Sequence, residues 1–432
     1  MCIRDRALDE VLECLLVKAP ARPATSLSLQ EALRGRSASL TIVPPGGGAP
    51  WTFDFLRAAL SPEHRDRWHD GPLAVSTRVS VNVPAEAVGV TSLRLVGDLI
   101  VTRDGLLELD TWLANDIVMQ PGGGQATYAY KVEVDGEVVF SQPESRHLQY
   151  TAWVRQHRRA RNGETPTRPW ARPDYDALVR AGFTLPWDRS LPPSFFSHYI
   201  TRSIQEGRAK PHPYPNWGLN RSAGAPGGRQ EIGYRTYANM IWLKSGHPEA
   251  QFLAHRQLEA AMSRPQNFWD DELGTWLNPE DWPQFTSGVP SQNFSPAGTP
   301  RDKAHGFPPE QRPTANDREH MTIDHAHNGE YFGVPALLSG RRIAFDGLAM
   351  NAAWQTMDNN SRNQPLPLTR HANWRNHKPD HLTGFAWAPR PGAPQIRGFA
   401  WGLRDVAQAA ALLPDAYPVS YTHLTLPTIY SV

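Results

Sequence analysis

The sequence predicts a multidomain chain of class β then α, an antiparallel β-sandwich followed by paired helical hairpins. Three observations predict it. Short runs of alternating apolar and polar residues fill the stretch from Gly71 onward, helical patterns broken by Ser-Gly fill the second half, and a Pro/Arg-rich stretch separates the two. A chain of 432 residues has room for about two or three domains.

The expected organisation follows the chain. Residues 1–70 form an N-terminal segment without an assigned fold, carrying a helical pattern over 7–17 and a strand candidate over 39–43. Residues 71–157 form the β-sandwich domain. Its strands are read at 75–81, 93–96, 99–101, 106–109 and 128–134, with Asp104-Gly105 and Asp135-Gly136 as tight hairpin turns, since Asp-Gly supplies the positive φ angles such turns need. Residues 158–190 read as a linker, in which Pro166, Pro169, Pro173 and Pro186 interrupt long helix. The basic cluster from Arg155 to Arg161 reads as solvated surface or linker.

Residues 191–415 form the helical domain. A first helix is expected over 194–205. A hairpin follows, with helices over 229–244 and from Pro248 onward joined at Ser245-Gly246, and a second spans 318–338 and 341–357 with its turn at Ser339-Gly340. A last helix spans 397–413. The connections over 263–317 and 358–396 far exceed ordinary loop length. If the hairpins stand side by side with their short turns at one end, the long connections meet at the other. Residues 1–6 and 418–432 resemble translated sequencing-adapter sequence at the ends of a metagenomic reading frame, so the chain is expected to be a fragment.

Composition narrows the function classes. With 44 Lys+Arg against 43 Asp+Glu, no overall field favours nucleic acid, and no apolar run is long enough for a membrane span. Cys2 and Cys14 are the only cysteines, too few for a disulfide framework or a cysteine metal site. The 15 Trp fall mostly beside Pro, Asn, Asp or His, where a flat apolar ring with an N–H edge suits a sugar face.

The densest polar cluster is Asp324, His325, His327, Asn328, Glu330 and Tyr331. On a helix Asp324, His327 and Tyr331 share one face, which presents an acid, a base and a phenol for proton transfer. The plainer alternative has Asp324 capping the helix and His327 in a buried hydrogen bond. A divalent metal at Asp324, His325 and His327 is a third reading, although the spacing fits no closed zinc pattern. No other cofactor is expected. Asn216, Trp217 and Arg221, followed by Gly227, Gly228, Arg229 and Glu231, form a glycine-rich entry to a helix where an arginine can fork onto a carboxylate; a flexible loop with an Arg–Glu pair explains the same residues. Trp276, Trp282 and His381 add loop aromatics and a further base, and the interleaved carboxylates leave glycoside hydrolysis open.

Domain order, the segment from Asp324 to Tyr331 and the segment from Arg397 to Asp405 together resemble carbohydrate-active enzymes that join a β-sandwich to an α/α toroid. The closest likeness is to exo-rhamnogalacturonan-lyase-like polysaccharide lyases. The resemblance spans about 71–413 and implies an incomplete toroid acting on a polysaccharide or oligosaccharide. By it His327 is the base, Tyr331 the acid and Arg229 the carboxylate clamp of a β-elimination on a uronate. It also implies an extracytoplasmic, periplasmic or secreted location. A glycoside hydrolase on the same scaffold and a non-catalytic glycan-binding protein are the alternatives.

Overall fold

The computed structural model describes residues 25–118, 121–163, 170–209, 213–214, 216–219, 233–277, 328–358 and 396–414. The described N-terminal half is antiparallel β-sheet and the described C-terminal half is helical, as the sequence predicts.

The β part begins before Gly71. Helix α1 (Leu29–Ala32) precedes β1 (Ala38–Val43) and β2 (Trp51–Asp54), and α2 (Phe55–Ala59) follows. Then come β3 (His69–Asp70), β4 (Ala74–Asn82), α3 (Ala85–Val88), β5 (Leu93–Thr102), β6 (Leu107–Asn115), β7 (Ala126–Val134), β8 (Glu137–His147) and β9 (Thr151–Arg159). One sheet has the order β2-β1-β7-β8 and the other β3-β4-β5-β6-β9. The stretch 39–54 therefore belongs to the sheet that also holds β7 and β8, rather than to a separate N-terminal segment. The runs read as two strands over 93–96 and 99–101 are one strand, because β5 pairs continuously with β4 and β6 through Gly97 and Asp98. Both Asp-Gly hairpins are present: Asp135 and Gly136 adopt φ of 52° and 79°, and Gly105 adopts 90°.

The two sheets share one apolar core. Leu40, Ile42, Tyr128 and Val132 come from the first, and Val79, Leu95, Leu99, Leu109 and Trp153 from the second, with Phe55 of α2 wedged among them. Phe55 reaches the sheet because residue 97 is glycine; a Cβ there would overlap its ring.

Alternation gives β5 and β6 a second face, lined by Arg94, Val96, Asp98, Asp110 and Trp112, and this face is buried as well. The helices cover it. They are α4 (Tyr175–Arg180), α5 (Pro193–Phe196), a π turn (Ser197–Thr201), α6 (Arg202–Ala209), α7 (Tyr237–Ser245), α8 (Pro248–Met262), α9 (Gly333–Ser339), α10 (Arg342–Asp358) and α11 (Ile396–Leu412), with the short β10 (Trp269–Asp270) and β11 (Thr275–Trp276) after α8. Val96, Trp112, Ala114 and Val154 of the sheet pack with Leu258, Met262, Ile343 and Leu348 of the helices.

Charges cross the same interface in pairs. Arg78 reaches Asp98 at 2.6 Å and also pairs with Asp346 of α10. Arg341 binds Asp110 at 2.7 Å and Glu259 of α8 at 3.5 Å. Arg94 binds Asp116 at 2.7 Å with its guanidinium 3.8 Å from the Trp269 ring. In β9, which contains most of the basic cluster, Arg158 pairs with Glu108, Arg155 lies over Phe140 and His157 is buried, so these residues form a packed strand and not free linker surface. The stretch 158–190 also holds α4, capped by Asp174 and anchored by the Tyr175 hydroxyl, which donates to the Leu185 carbonyl at 2.6 Å.

The two helical hairpins form with the short turns expected. Gly246 and Gly340 both take the left-handed conformation that ends α7 and α9. Two helix starts differ from the sequence reading. α7 begins at Tyr237, not Arg229, because Thr236 caps it by accepting the Asn239 N–H at 3.2 Å. α9 begins at Gly333 because the Glu330 carboxylate accepts the Gly333 N–H at 2.6 Å and the Val334 N–H at 3.3 Å. The run from Asn328 to Phe332 is consequently not helical. Among the described residues no helix is long and apolar enough to cross a membrane.

Candidate active site

Opposite the two short turns lie the start of α7, the entry to α9 and the far end of α10, and hydrogen bonds bring these ends together with α11. The Asn239 amide donates to the Glu330 carbonyl at 2.9 Å and to its carboxylate at 3.0 Å. Arg404 of α11 donates to the Gly233 carbonyl and, at 3.1 Å, to the Asn328 carbonyl.

The meeting point is a buried polar bed. Glu330 is 1 % exposed and is faced by Arg235, whose nearest guanidinium nitrogen lies at 3.6 Å. With its amide oriented to satisfy both neighbours, Gln408 donates to Glu330 at 3.3 Å and accepts from Arg235. Below it Asp405 accepts from Arg404 at 2.7 Å, from Gln355 at 3.2 Å and from Asn328 at 3.4 Å, and Asn328 also donates to Asn351 at 2.6 Å. Burial holds the Asp405 carboxyl above the ordinary carboxylate range, and Arg404 pulls it back. Two guanidinium groups and two carboxylates balance, which lets so many polar groups stay dry.

Tyr331 follows Glu330 in the chain, and its ring belongs to the apolar cluster shared with the sheet. It is 1 % exposed, meets Phe332 edge-on at 6.0 Å, and carries the Arg264 guanidinium 4.9 Å above its ring. Since residues 328–332 are not helical, the three-and-four spacing that put Asp324, His327 and Tyr331 on one helical face does not hold at Tyr331. Asp324, His325 and His327 lie outside the described residues, as do Arg221, Arg229, Glu231, Trp282 and His381. Among the described residues no cluster of three or more His, Cys, Asp or Glu is placed to hold a metal ion.

The remaining expected residues sit elsewhere. Trp276 is 2 % exposed, stacked on Trp112 at 5.9 Å and edge-on to Trp269, so its faces are occupied by the interface with the sheet and it offers no sugar platform. Trp217 has a positive φ of 48° and packs against Gly207 of α6 and Phe252 of α8, while its carbonyl accepts from Gln257 at 3.1 Å. Asn216 closes the same turn through its carbonyl, which accepts the Leu219 N–H at 2.8 Å. Trp217 and Asn216 thus brace α6 on α8, and Tyr331 has other partners.

Asn328 and Glu330 stand in the polar cluster that the sequence singles out, whereas the bed residues that sequence reasoning passed over are Arg235, Asn239, Asn351, Gln355, Arg404, Asp405 and Gln408. A signal for them exists. Asn351 and Gln355 stand four apart on an otherwise apolar stretch of α10, and Arg404, Asp405 and Gln408 interrupt the apolar face of α11. Polar residues at core spacing on two neighbouring helices imply a buried network. Compared with known protein families, with curated proteins and with solved structures, the chain matches none.

Proposed function

We propose that the protein is a carbohydrate-active enzyme that cleaves uronate-containing polysaccharide by β-elimination at the long-connection end of its helices. The two sheets with a common core are read as a β-sandwich, and the hairpins as part of an α/α toroid like that of exo-rhamnogalacturonan-lyase-like lyases. The observation that carries the reading is the buried polar bed that adjoins Tyr331 in the chain, where side chains from α7, α10, α11 and the entry to α9 converge. A bed of this kind fixes the backbone at Glu330 and so the position of the next residue, as a group that transfers a proton requires.

In the reaction a base removes the proton on the carbon beside the carboxylate. The bond from the neighbouring ring carbon to the glycosidic oxygen breaks, a carbon–carbon double bond forms, and the departing oxygen takes a proton; no water is consumed. Tyr331 is assigned the proton delivered to the departing oxygen, and His327, four residues earlier, the base, with Asp324 as its partner. A polymer substrate of this kind favours a periplasmic or secreted enzyme.

The test is incubation of the full chain with pectic and other uronate polymers. Unsaturated ends, seen as new ultraviolet absorbance, are expected, and Tyr331→Phe should lower turnover by roughly 10²–10⁴-fold. Reducing ends without that absorbance would replace elimination with hydrolysis, and glycan affinity with no turnover would remove catalysis from the reading.

A further inference from the structure

The arginines of the basic cluster on β9 differ in what they face. Arg158 pairs with Glu108 at 2.6 Å, Arg159 pairs with Glu137 at 2.7 Å, and Arg161 donates to the Ala32 and Arg34 carbonyls at 2.8 and 3.1 Å. Arg155 has no such partner. Its guanidinium lies 4.0 Å from the centre of the Phe140 ring, and among the described residues it makes no hydrogen bond and has no carboxylate within ion-pair distance.

β9 is the edge strand of its sheet, and α8 packs along it. The carboxylates at this seam are already committed: Glu108 to Arg158, Asp110 to Arg341, and Glu259 to both Arg256 and Arg341, at 2.5 and 3.5 Å. Arg155, Arg158, Arg256 and Arg341 thus stand against Glu108, Asp110 and Glu259, and the one surplus charge falls on Arg155. Burial pushes its pKa below the ordinary range, Glu259 draws it back in part, and Arg256 adds to the push. The stack on Phe140 offsets some of that cost but gives the guanidinium N–H groups no oxygen to bind. Both arginines can be reached. Arg155 is only partly buried and the Arg256 side chain is 19 % exposed, so an anion approaching from solvent meets the two together.

We propose that Arg155, together with Arg256, holds the sulfate ester of a sugar at the β9–α8 seam, a site that shares no residue with the polar bed. One surplus cation matches the single charge of such an ester. The two guanidinium groups come from different elements, so the anion must offer oxygens in more than one plane; a sulfate ester offers three, whereas a carboxylate offers two in one plane. The anion site stands on the unpartnered guanidinium and the charge count at the seam; the sugar as carrier rests on the functional reading above.

The test is calorimetry on the full chain at constant ionic strength, with galactose 6-sulfate, galactose, inorganic phosphate and acetate as titrants, on the wild type, Arg155→Lys and Arg155→Met. The wild type should bind galactose 6-sulfate about tenfold or more tightly than galactose, phosphate or acetate. Arg155→Met should lose about tenfold or more of that affinity, and Arg155→Lys, which keeps the charge without the planar fork, should retain part of it. Equal affinity for galactose 6-sulfate in the wild type and Arg155→Met overturns the inference, as does a wild type that does not prefer the sulfated sugar to galactose. Acetate or phosphate bound as tightly as the sulfated sugar overturns the choice of a sulfate ester. Galactose 6-sulfate bound through Arg155, with no unsaturated product from uronate polymers, keeps the site and removes the lyase. Unsaturated product from a sulfated uronate polymer, with KM unchanged in Arg155→Met, keeps the lyase and removes the site.

Discussion

Replacing Arg341 with Met should separate the helices from the sheet energetically. The side chain stands just after the Gly340 turn and donates to Asp110 of β6 at 3.1 and 2.7 Å, with Glu259 at 3.5 Å and the Nδ1 of His255 at 3.3 Å. Asp110 is 4 % exposed, and burial already holds its carboxyl above the ordinary range with Arg341 pulling it down. Methionine fills most of the volume but leaves a buried carboxylate without its cation, a loss of about 3–5 kcal/mol. In a chain of this size that lowers the unfolding midpoint by roughly 3–6 °C. The sign of the pH dependence follows from the raised pKa. A carboxyl that prefers its neutral form when folded is most favourable below its unfolded pKa and loses stability as pH rises through the folded value. The Met variant raises that folded value further, so its penalty should be small near pH 4 and full at pH 7. Thermal unfolding at both pH values measures it, and Arg341→Met with Asp110→Leu should recover most of the loss. A penalty under about 1 kcal/mol at pH 7, or one identical at the two pH values, would refute the reasoning.

Gly97→Ala should destabilise by about 1–3 kcal/mol, because the new methyl overlaps the Phe55 ring, and Phe55→Leu in the same chain should return part of it; unfolding midpoints decide. His157 is buried against Thr111, and burial first, then Arg155 and Arg256, pushes its pKa down to about 3. A histidine held neutral contributes stability above its unfolded pKa and loses it as pH falls toward the folded value. Between pH 6.5 and 4.5 this group alone should cost roughly 2 kcal/mol, and His157→Gln should flatten that part of the stability profile. Glu330→Gln keeps an acceptor for the Gly333 N–H but removes the charge facing Arg235, and should cost about 1.5–3 kcal/mol in denaturant titration.

The parts of the fold legible in the sequence are those set by local chemistry. Asp135-Gly136 and the Gly246 and Gly340 helix ends are turns that few other residues can make, and the alternation over 75–81 reads directly as β4. What sequence reading lost depends on distant partners. The start of α9 is set by the Glu330 side chain, not by a periodic pattern, and the extent of β5 by strands on either side. Tryptophan in a loop with polar residues suggested exposure, yet Trp276 is buried because Arg94 and Trp112 arrive from two neighbouring strands far earlier in the chain. For the candidate site, Tyr331 was legible as a phenol in a polar run. The bed that adjoins it in the chain was not, since α7, α10 and α11 contribute one to three residues each.

The second face of the five-stranded sheet bears on how such a protein can be built or altered. Arg78, Arg94, Asp98, Asp110 and Asp116 are matched, one by one, within the sheet or to side chains of the helices. A sheet cut away from those helices would bare Asp110 and half of the Arg78 pairing together with Trp112 and Val96. Grafting a foreign helical layer onto it would demand opposite charges at the same places. The two halves are therefore mutually coded, and recombination that swaps one without the other should yield insoluble chains.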